Sequence, residues 1–244
     1  MNALPLWTRR TLLASTWMMT AASSTALPAP VTRAELLPLG DGRAPLQAWL
    51  TLPRGYENGG ATAWPLVVFL HGSGERGSDL HQVRAHGPPR HAAAGREYPF
   101  VLCSPQLQAG SRWQPERLHA LLRVLQQRWR VDANRVIATG MSLGGHGVWD
   151  WAAAYPDDLA AMVPVCGYGN PTHVCRARQV PVRAYHGAAD TVVPVAGQQA
   201  CIDALRRCGG RADFIVYPGV GHNAWEPAYD DPELVPWLMK QARA

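Results

Sequence analysis

The stretch Thr139-Gly140-Met141-Ser142-Leu143-Gly144-Gly145 determines how the rest of the chain is interpreted. An apolar run at 135–138 precedes it, and residues 146–155 after it have helical spacing. A strand, then Gly-x-Ser-x-Gly, then a helix is the setting of a nucleophile elbow, a strained turn that presents a serine hydroxyl at the carboxyl edge of a parallel sheet. The small residues on either side of the serine let the strand and the helix pass close together. Ser142 is therefore the candidate nucleophile.

Apolar runs alternate with helical patterns along most of the chain, which predicts a mostly parallel sheet with helices on both faces. The first two predicted strands have no helix between them, so that edge of the sheet is expected to be antiparallel. We expect one α/β domain of about eight strands, with no large lid inserted between the sixth strand and Val182. The predicted strands are 34–39, 46–52, 65–70, 100–104, 135–140, 161–165, 182–186 and 213–217, and the predicted helices are 115–130, 146–155, 195–207 and 232–243.

The N-terminal segment has the pattern of an export signal. Arg9 and Arg10 precede an apolar stretch that continues to Ala26, which predicts cleavage near that residue. The Thr-Arg-Arg-x-Leu-Leu string resembles a twin-arginine signal, and the route, twin-arginine or general, stays open. A membrane anchor is the alternative, but a spanning helix needs about 20 apolar residues and this run is shorter and interrupted. We expect a signal peptide at 1–26 and a catalytic domain at 27–244 in an exported, periplasmic or secreted bacterial protein.

The charge distribution argues against a nucleic-acid partner. The chain has 23 Lys and Arg against 18 Asp and Glu, a formal net charge of +5. Loss of Arg9 and Arg10 with the signal would lower it by two, to +3. All the basic residues except Lys240 are arginine, and they are scattered rather than gathered into a basic stripe. No segment after the signal is expected to span a membrane.

The five cysteines carry no thiol-redox or structural zinc signature, because no Cys-x-x-Cys pair occurs. Cys103 falls in a predicted buried strand and is expected to be a free thiol. Cys166 and Cys175 flank a short Gly/Pro-rich loop and are a candidate disulfide pair. Cys201 and Cys208 lie about 10 Å apart on one predicted helix, too far to bridge. If either of these two is oxidised, its partner lies elsewhere or the helix ends early.

Two downstream loops supply the other groups that serine nucleophilic chemistry needs. The stretch His186-Gly187-Ala188-Ala189-Asp190 ends a predicted strand and puts Asp190 at the carboxyl edge of the sheet. His222 follows the last predicted strand at the same edge. The order Ser, Asp, His along the chain is the order found on sheets of this kind. We predict Ser142 as the nucleophile, His222 as its base, and Asp190 as the carboxylate that orients the imidazole.

An oxyanion hole needs two backbone N–H groups that point at the developing negative charge. The first predicted donor is the N–H of Leu143, the residue after the nucleophile. The second is expected from the loop after the first buried strand, His71-Gly72-Ser73-Gly74, with Ser73 preferred and Gly74 as the second choice. Both glycines of this loop lie where the backbone must approach the substrate.

Several residues near the predicted site are candidates for the substrate pocket or its support. Gly74, Trp113 and Trp225 are expected near the mouth, although core packing is the alternative for both tryptophans. The stretch Glu75-Arg76-Gly77-Ser78-Asp79 is expected to form a local ion pair that fixes the oxyanion loop. Direct substrate contact by this pair is the less favoured alternative.

No metal or cofactor is expected. Three histidines recur every five residues, a spacing that does not align on one helix face, and no carboxylate lies among them, so a metal site is not expected there. Cys166 and His173 are not expected to act as a catalytic pair, because no elbow surrounds Cys166. The three regularly spaced histidines are His81, His86 and His91.

Four motifs together resemble those of α/β-hydrolase esterases, and the similarity extends over nearly all of 27–244. The similarity is greatest to the carboxylesterase/phospholipase-like branch often labelled "predicted peptidase", which is related to feruloyl esterases and polyhydroxybutyrate depolymerase-like enzymes. The resemblance implies a serine nucleophile, no cofactor and a small-molecule ester substrate, without specifying which ester. The motifs are Leu70-His71-Gly72-Ser73-Gly74-Glu75-Arg76-Gly77, Thr139-Gly140-Met141-Ser142-Leu143-Gly144-Gly145, His186-Gly187-Ala188-Ala189-Asp190 and Pro218-Gly219-Val220-Gly221-His222.

The leading interpretation is a serine carboxylic-ester hydrolase that acts on small or aryl, feruloyl-like esters through an acyl-enzyme. A serine peptidase of the prolyl-oligopeptidase type shares the fold and the triad order, but it usually depends on a gating domain that this sequence does not show. A polyester or polyhydroxybutyrate oligomer hydrolase is a further alternative. A catalytically silent binding protein on the same fold is the alternative from another class, and retention of all three triad residues argues against it.

Overall fold

One sheet of eight strands organises the part of the chain that the computed structural model describes, which is Met1 and residues 29–243. Apart from Met1, the predicted signal peptide lies outside these residues. The strands are β1 Val31–Leu37, β2 Leu46–Leu52, β3 Trp64–Leu70, β4 Val101–Pro105, β5 Val131–Met141, β6 Ala161–Val165, β7 Val182–Gly187 and β8 Ala212–Tyr217. The α-helices in this part of the chain are α1 Gly87–Ala93, α2 Pro115–Arg128, α3 Leu143–Ala154, α4 Val195–Arg207, α5 Trp225–Asp230 and α6 Leu234–Met239.

The strand order β1-β2-β4-β3-β5-β6-β7-β8 places β5 near the middle of the sheet, between β3 and β6. Strands β3 to β8 are all parallel, while β1 pairs antiparallel with β2 and β2 pairs antiparallel with β4. The predicted single α/β domain with an antiparallel edge is therefore confirmed. Because the parallel strands end at one edge, the loops that follow β3, β5, β7 and β8 meet there.

Helices cover both faces of the sheet and bury two apolar layers. One layer includes the inner faces of α2, α3 and α4, and the other includes residues of α5 and α6. The central strands are buried on both faces, which explains the unbroken apolar run at 65–70. The apolar stripe predicted for α2 is buried, at Leu118, Leu121, Leu122 and Leu125.

Two regions differ from the sequence expectation. The C-terminal helix predicted at 232–243 is shorter, α6 at Leu234–Met239, and an unpredicted short helix, α5, precedes it and ends before Asp231 and Pro232. A proline restricts the residue before it to extended backbone, and Asp231 has ψ 116°. The segment after β3, expected only to be polar, contains a 3₁₀ turn at Leu80–Arg84 and the short helix α1.

The disulfide joins Cys175 to Cys208 rather than Cys175 to Cys166. Helix α4 ends at Arg207, so Cys208 lies just past its last turn, where the short 3₁₀ segment that holds Cys175 packs against the helix. The two α-carbons are 5.9 Å apart across 33 residues of sequence. Cys103, Cys166 and Cys201 are buried free thiols.

Candidate active site

Ser142 lies in the turn between β5 and α3, with the strained backbone angles φ 53° and ψ −116°. Close packing explains the glycines around it. A Cβ at position 140 would lie 2.6 Å from the carbonyl oxygen of Gly144, and a Cβ at 144 would lie 1.8 Å from that of Leu70. Side chains at these positions would force β5, α3 and β3 apart. The elbow therefore requires glycine two residues before and two residues after the serine.

The structure brings together three side chains that are far apart in the sequence. The Oγ of Ser142 lies 2.9 Å from Nε2 of His222, and Nδ1 of the same ring lies 2.7 Å from Oδ2 of Asp190. Ser142 follows β5, Asp190 follows β7, and His222 follows β8. A neutral imidazole that donates from Nδ1 to the carboxylate presents Nε2 as an acceptor for the serine hydroxyl. This is the hydrogen-bonding order of a serine hydrolase triad.

Asp190 is held as a carboxylate by several hydrogen bonds. Its Oδ1 accepts the backbone N–H groups of Val192 and Val193, each at 2.9 Å. Burial alone would raise the pKa of Asp190, but the hydrogen bonds from His222, Val193 and Val192 outweigh it and hold the pKa below its ordinary value of 3.8. The acid therefore remains ionised at neutral pH while it orients the imidazole of His222.

A second histidine, His186, supports the loop after β7 that holds Asp190, called the acid loop below. The sequence alone did not indicate this role. His186 is fully buried, and its Nε2 lies 2.8 Å from the carbonyl oxygen of Val193 and 3.3 Å from Oδ2 of Asp190. Its Nδ1 faces the amide oxygen of Gln198, whose Nε2 donates to the carbonyl of Pro164 at 3.1 Å. The His186-Gly187 dipeptide was the only sequence signal for this support, and the partner Gln198 had none.

Cys166 is a buried thiol beside the triad. Its sulfur and the ligand atoms of Asp190 and His222 lie within 4.8 Å of one another, a spacing that suits a metal site. Burial, and then the nearby charge of Asp190, raise the pKa of Cys166 to about 12, so the thiol stays protonated. The other two side chains are hydrogen-bonded to each other, and Asp190 also accepts the N–H groups of Val192 and Val193. The arrangement fits a proton relay better than a metal centre.

The predicted oxyanion loop after β3 is anchored through its carbonyl groups. His71 Nδ1 donates to the carbonyl oxygen of Gly72 at 2.6 Å, and the guanidinium Nε of Arg76 donates to that of Ser73 at 2.9 Å. In a trans peptide the C=O and the next N–H point in opposite directions. The first contact therefore fixes the direction of the Ser73 N–H, and the second fixes that of the Gly74 N–H. Both predicted donors lie on exposed residues at the carboxyl edge.

His71 is a neutral imidazole with its proton on Nδ1. Its Nε2 accepts the backbone N–H of Leu107 at 3.0 Å, so the donor to Gly72 is Nδ1. Burial lowers the pKa of His71 to about 4, which keeps the ring uncharged at neutral pH. The His71 ring packs against the ring of Trp113, with 5.0 Å between the ring centroids. The indole N–H of Trp113 donates to the His71 carbonyl at 3.1 Å.

The local ion pair predicted within 75–79 does not form among the described residues, where Arg76 pairs with neither Glu75 nor Asp79. The guanidinium of Arg76 instead reaches two backbone carbonyls, those of Ser73 and Ser111. The Glu75 carboxylate points inward, 3.7 Å from His71 Nδ1 and 3.8 Å from His86 Nε2. Arg76 thus fixes the loop, as expected, but through carbonyl groups rather than through a neighbouring acid.

The two tryptophans proposed for the pocket have different positions. Trp113 is 5% exposed and belongs to the apolar core, where its Cβ lies 2.6 Å from the point at which a Cβ on Gly147 would stand. It is therefore a support for the oxyanion loop and not a pocket wall. Trp225 is partly exposed, and its ring packs edge-on against His222 at 5.3 Å. Only Trp225 and Gly74 of the proposed pocket residues lie where a substrate can reach them.

The chain matches the model of the dienelactone hydrolase family over residues 103–232, more than half of its length. Two curated relatives are both described as "Putative carboxymethylenebutenolidase". The protein from Salmonella typhimurium is 31% identical over 115 residues, or 41% of this chain and 42% of the relative. The protein from Methylorubrum extorquens is 33% identical over 105 residues, or 38% of this chain and 35% of the relative. The alignments thus span about two fifths of the curated relatives.

Solved structures of esterases have the same fold. A thermostable esterase superposes with a TM-score of 0.73 and 28% identity over 88% of this chain and 63% of its own. A ferulic acid esterase has a TM-score of 0.64 at 16% identity, over 86% and 96% of the two chains. A putative dienelactone hydrolase from Klebsiella pneumoniae has a TM-score of 0.66 at 18% identity, over 87% and 100%. The last two show the fold alone. The motifs predicted this superfamily, although not the family within it: the chain belongs to the dienelactone hydrolase family of α/β-hydrolases.

Proposed function

We propose that the protein is a serine carboxylic-ester hydrolase that acts on small or aryl, feruloyl-like esters. The observation that carries the proposal is the hydrogen-bonded line from Ser142 through His222 to Asp190, with distances of 2.9 and 2.7 Å. The names of the relatives and of the similar structures, which are esterases and lactone hydrolases, support ester rather than amide chemistry. The elbow, the acid loop and the oxyanion loop all lie at one sheet edge, as acyl transfer requires.

The proposed reaction proceeds in two steps of acyl transfer. The Oγ of Ser142 bonds to the ester carbonyl carbon as its proton passes to Nε2 of His222, and the carbon–oxygen bond to the alcohol breaks as His222 returns that proton to the alcohol. Water then attacks the acyl-enzyme, gives a proton to His222, and releases the acid as Ser142 regains its hydrogen. In both steps the oxygen of the reacting carbonyl accepts hydrogen bonds from the backbone N–H of Leu143 and from that of Ser73 or Gly74.

The substrate class rests on the shape and chemistry around the nucleophile. Trp225, partly exposed and packed on His222, offers an aromatic surface to an aryl group. Between β6 and β7 the described chain holds only a short connection with a 3₁₀ segment, so no lid covers the site from that side. This openness favours small or aryl esters over gated peptide substrates. Polyester oligomers stay an alternative substrate class.

A second candidate is the hydrolysis of an unsaturated lactone, favoured by the family match and by the name of the curated relatives. A lactone is a cyclic ester, so the same two steps apply, with the alcohol still tethered to the acyl group.

Export is also part of the proposal, and it rests on Arg9, Arg10 and the apolar stretch that ends at Ala26. Within residues 29–243 no helix is long and apolar enough to cross a membrane.

The decisive experiment replaces the nucleophile. The Ser142→Ala variant should lose about 10⁴-fold or more of the turnover of p-nitrophenyl acetate and butyrate, and it should no longer be labelled by a fluorophosphonate probe. Thr32→Ala, which removes a hydroxyl on the distant edge strand β1, is the matched control and should keep both. Unchanged turnover by a folded Ser142→Ala protein would reject the proposal.

A substrate panel then separates the alternatives. It contains acetate and longer acyl esters, methyl ferulate, an unsaturated lactone, polyester oligomers and peptide amides matched to the esters. Amide rates comparable to ester rates would identify a peptidase. Preference for the lactone would favour the second candidate, and absence of both labelling and turnover in the wild-type protein would indicate a binding protein.

A further inference from the structure

A cavity of about 120 Å³ opens at the same edge of the sheet as the candidate active site. Residues 43–47 form one wall, and the loops after β3 and β4 form the others, at 77–78 and 106–114. The antiparallel pairing of Ala48 with Pro105 explains this position, because it brings the start of β2 beside the carboxyl end of β4. The cavity and Ser142 are therefore on one side of the molecule.

Guanidinium groups dominate the charge of this cavity. Arg43, Arg112 and Arg117 line it, and none of its lining residues is acidic. The nearest acid on this loop, Asp41, lies 3.1 Å from the Nε of Arg117 and neutralises one of the three charges. The guanidinium of Arg43 donates to the amide oxygen of Gln114, a neutral partner. The remaining polar lining is amide and hydroxyl, so the site offers hydrogen-bond donors and positive charge to an anion.

The cavity shares its walls with the oxyanion loop. The backbone N–H of Gly77, in one wall, donates to the carbonyl of Leu107, in the opposite wall, at 2.8 Å. Arg76 joins the carbonyl of Ser111, also in the wall, to the carbonyl of Ser73 in the oxyanion loop. An occupant that orders this wall therefore orders the predicted oxyanion donor as well.

The separation from the nucleophile sets which ligands can use the cavity. From β5 to β2 the sheet crosses β3 and β4, which makes three strand spacings, or about 14 Å. The cavity is too far from Ser142 to hold the reacting group of a small ester. It can hold a separate small anion, or the distant end of an extended substrate.

We propose that this cavity is a binding site for a carboxylate group, supplied by a free dicarboxylate or by the far end of an ester substrate. Only the second source rests on the proposed hydrolase function. Arginine is suited to this role because its planar guanidinium can bind both oxygens of a carboxylate. The three arginines, the absence of acidic lining and the shared wall with the oxyanion loop together distinguish this cavity from an ordinary solvated depression.

The first test measures binding without catalysis. Succinate is titrated into the Ser142→Ala protein by calorimetry, with uncharged succinamide as the control ligand. The double variant Arg43→Gln/Arg112→Gln should weaken succinate binding by about tenfold or more, the size expected for loss of charged hydrogen bonds. Arg123→Gln, which removes an exposed arginine from α2 outside the cavity, should bind succinate as before. Melting temperatures equal to that of the parent protein show that the variants are folded. If the double variant does not fold, the single Arg112→Gln variant replaces it in the titration.

The second test addresses the tethered source. p-Nitrophenyl monoesters of dicarboxylic acids of increasing length should show a maximum in kcat/KM near the chain length that spans about 14 Å. The double variant should lose that maximum while it hydrolyses uncharged esters normally. Succinate binding that the double variant abolishes and Arg123→Gln keeps supports a site for a free dicarboxylate. A chain-length maximum with the same dependence supports a site for the far end of an ester substrate. Neither effect, or equal losses in Arg123→Gln, would overturn it, whatever the Ser142→Ala result shows about hydrolysis.

Discussion

The oxyanion side and the acid side of the candidate site are held in place by different kinds of contact. On the oxyanion side the proposed functional groups are backbone N–H groups, and side chains of His71 and Arg76 hold them indirectly through neighbouring carbonyls. On the acid side the functional group is the Asp190 side chain itself, which receives backbone N–H groups and the His222 ring. One side uses side chains to position backbone, and the other uses backbone to position a side chain.

This difference determines where substitutions should matter. A backbone donor cannot be removed by changing its own side chain, so Ser73 should tolerate substitution while its anchors should not. Asp190 should show the opposite pattern, since its own carboxylate accepts the hydrogen bond from His222, the proposed base. Substitutions on each side can test that contrast, and the largest effect is expected at the acid.

Asp190→Asn should cause the largest loss among the substitutions outside the nucleophile. The amide keeps the shape of the carboxylate, but its NH₂ group faces His222 Nδ1 and favours the wrong tautomer. We expect kcat on a p-nitrophenyl ester to fall by about 10⁴-fold, as the same substitution does in other serine hydrolase triads, with little change in melting temperature. Steady-state kinetics at neutral pH provide the measurement.

Asp132→Asn is the matched control for that experiment. Asp132 lies near the start of β5, at the opposite end of the strand from Ser142, and its oxygen accepts the N–H of Asn134. The same chemical change at this position should leave kcat within a factor of about two. A loss in Asp190→Asn no larger than in this control would remove Asp190 from the proposed triad.

The sequence predicts the acid side better than the oxyanion side, for a physical reason. A triad is defined by residues that stand at the ends of parallel strands, and strand ends can be located from apolar runs and the glycines after them. Ser142, Asp190 and His222 each follow such a run, so their convergence could be expected from the sequence. The fold was predictable on the same basis, because strands and helices alternate.

Contacts between distant loops were not predictable in this way. The motif at 75–79 predicts a local ion pair for Arg76, but its partners are carbonyl oxygens, one of them 35 residues away. Trp113 was placed near the mouth because its loop lies there, yet its indole turns into the core toward His71. The Cys175–Cys208 bridge likewise depends on how a loop packs against the end of α4. Backbone carbonyls have no signature in the sequence.

Removal of the Arg76 anchor should give an intermediate effect. Arg76→Met keeps the aliphatic stem but loses the donors to the Ser73 and Ser111 carbonyls. Complete loss of an oxyanion donor costs about 10²–10³-fold in kcat, and a donor that is loosened rather than lost should cost less, about tenfold. We expect kcat to fall and KM to stay nearly constant, because the oxyanion forms only in the transition state.

Arg123→Met, an exposed arginine of α2, is the control for loss of positive charge and should leave kcat unchanged. Arg76→Lys retains a charged donor group and should recover part of the kcat that Arg76→Met loses. A rise in KM with unchanged kcat in Arg76→Met would place Arg76 in ground-state substrate binding instead, and would contradict the anchoring role.

The two sides also differ in how pH changes the stability that they contribute. The pKa of His71 is lowered from 6.5 to about 4 in the folded protein, so below pH 6.5 the unfolded chain takes up a proton that the folded protein does not. The free energy of unfolding should therefore decrease as the pH falls, by about 2 kcal/mol between pH 7 and 5 from this group alone. The pKa of Asp190 is lowered from 3.8, so its stabilising contribution is present above that pH and is lost only as the pH falls through its folded value.

Urea unfolding at pH 7 and pH 5 measures the difference. His71→Gln offers a donor and an acceptor of similar reach but no titrating ring, so it should reduce the loss of stability between these two pH values by about 2 kcal/mol. His81→Gln, at an exposed histidine ten residues away, should leave the loss as in the wild-type protein. If His71→Gln loses as much stability between pH 7 and pH 5 as the wild-type protein, the buried neutral ring of His71 does not cause that loss. The contrast with Asp190 in pH dependence would then be wrong.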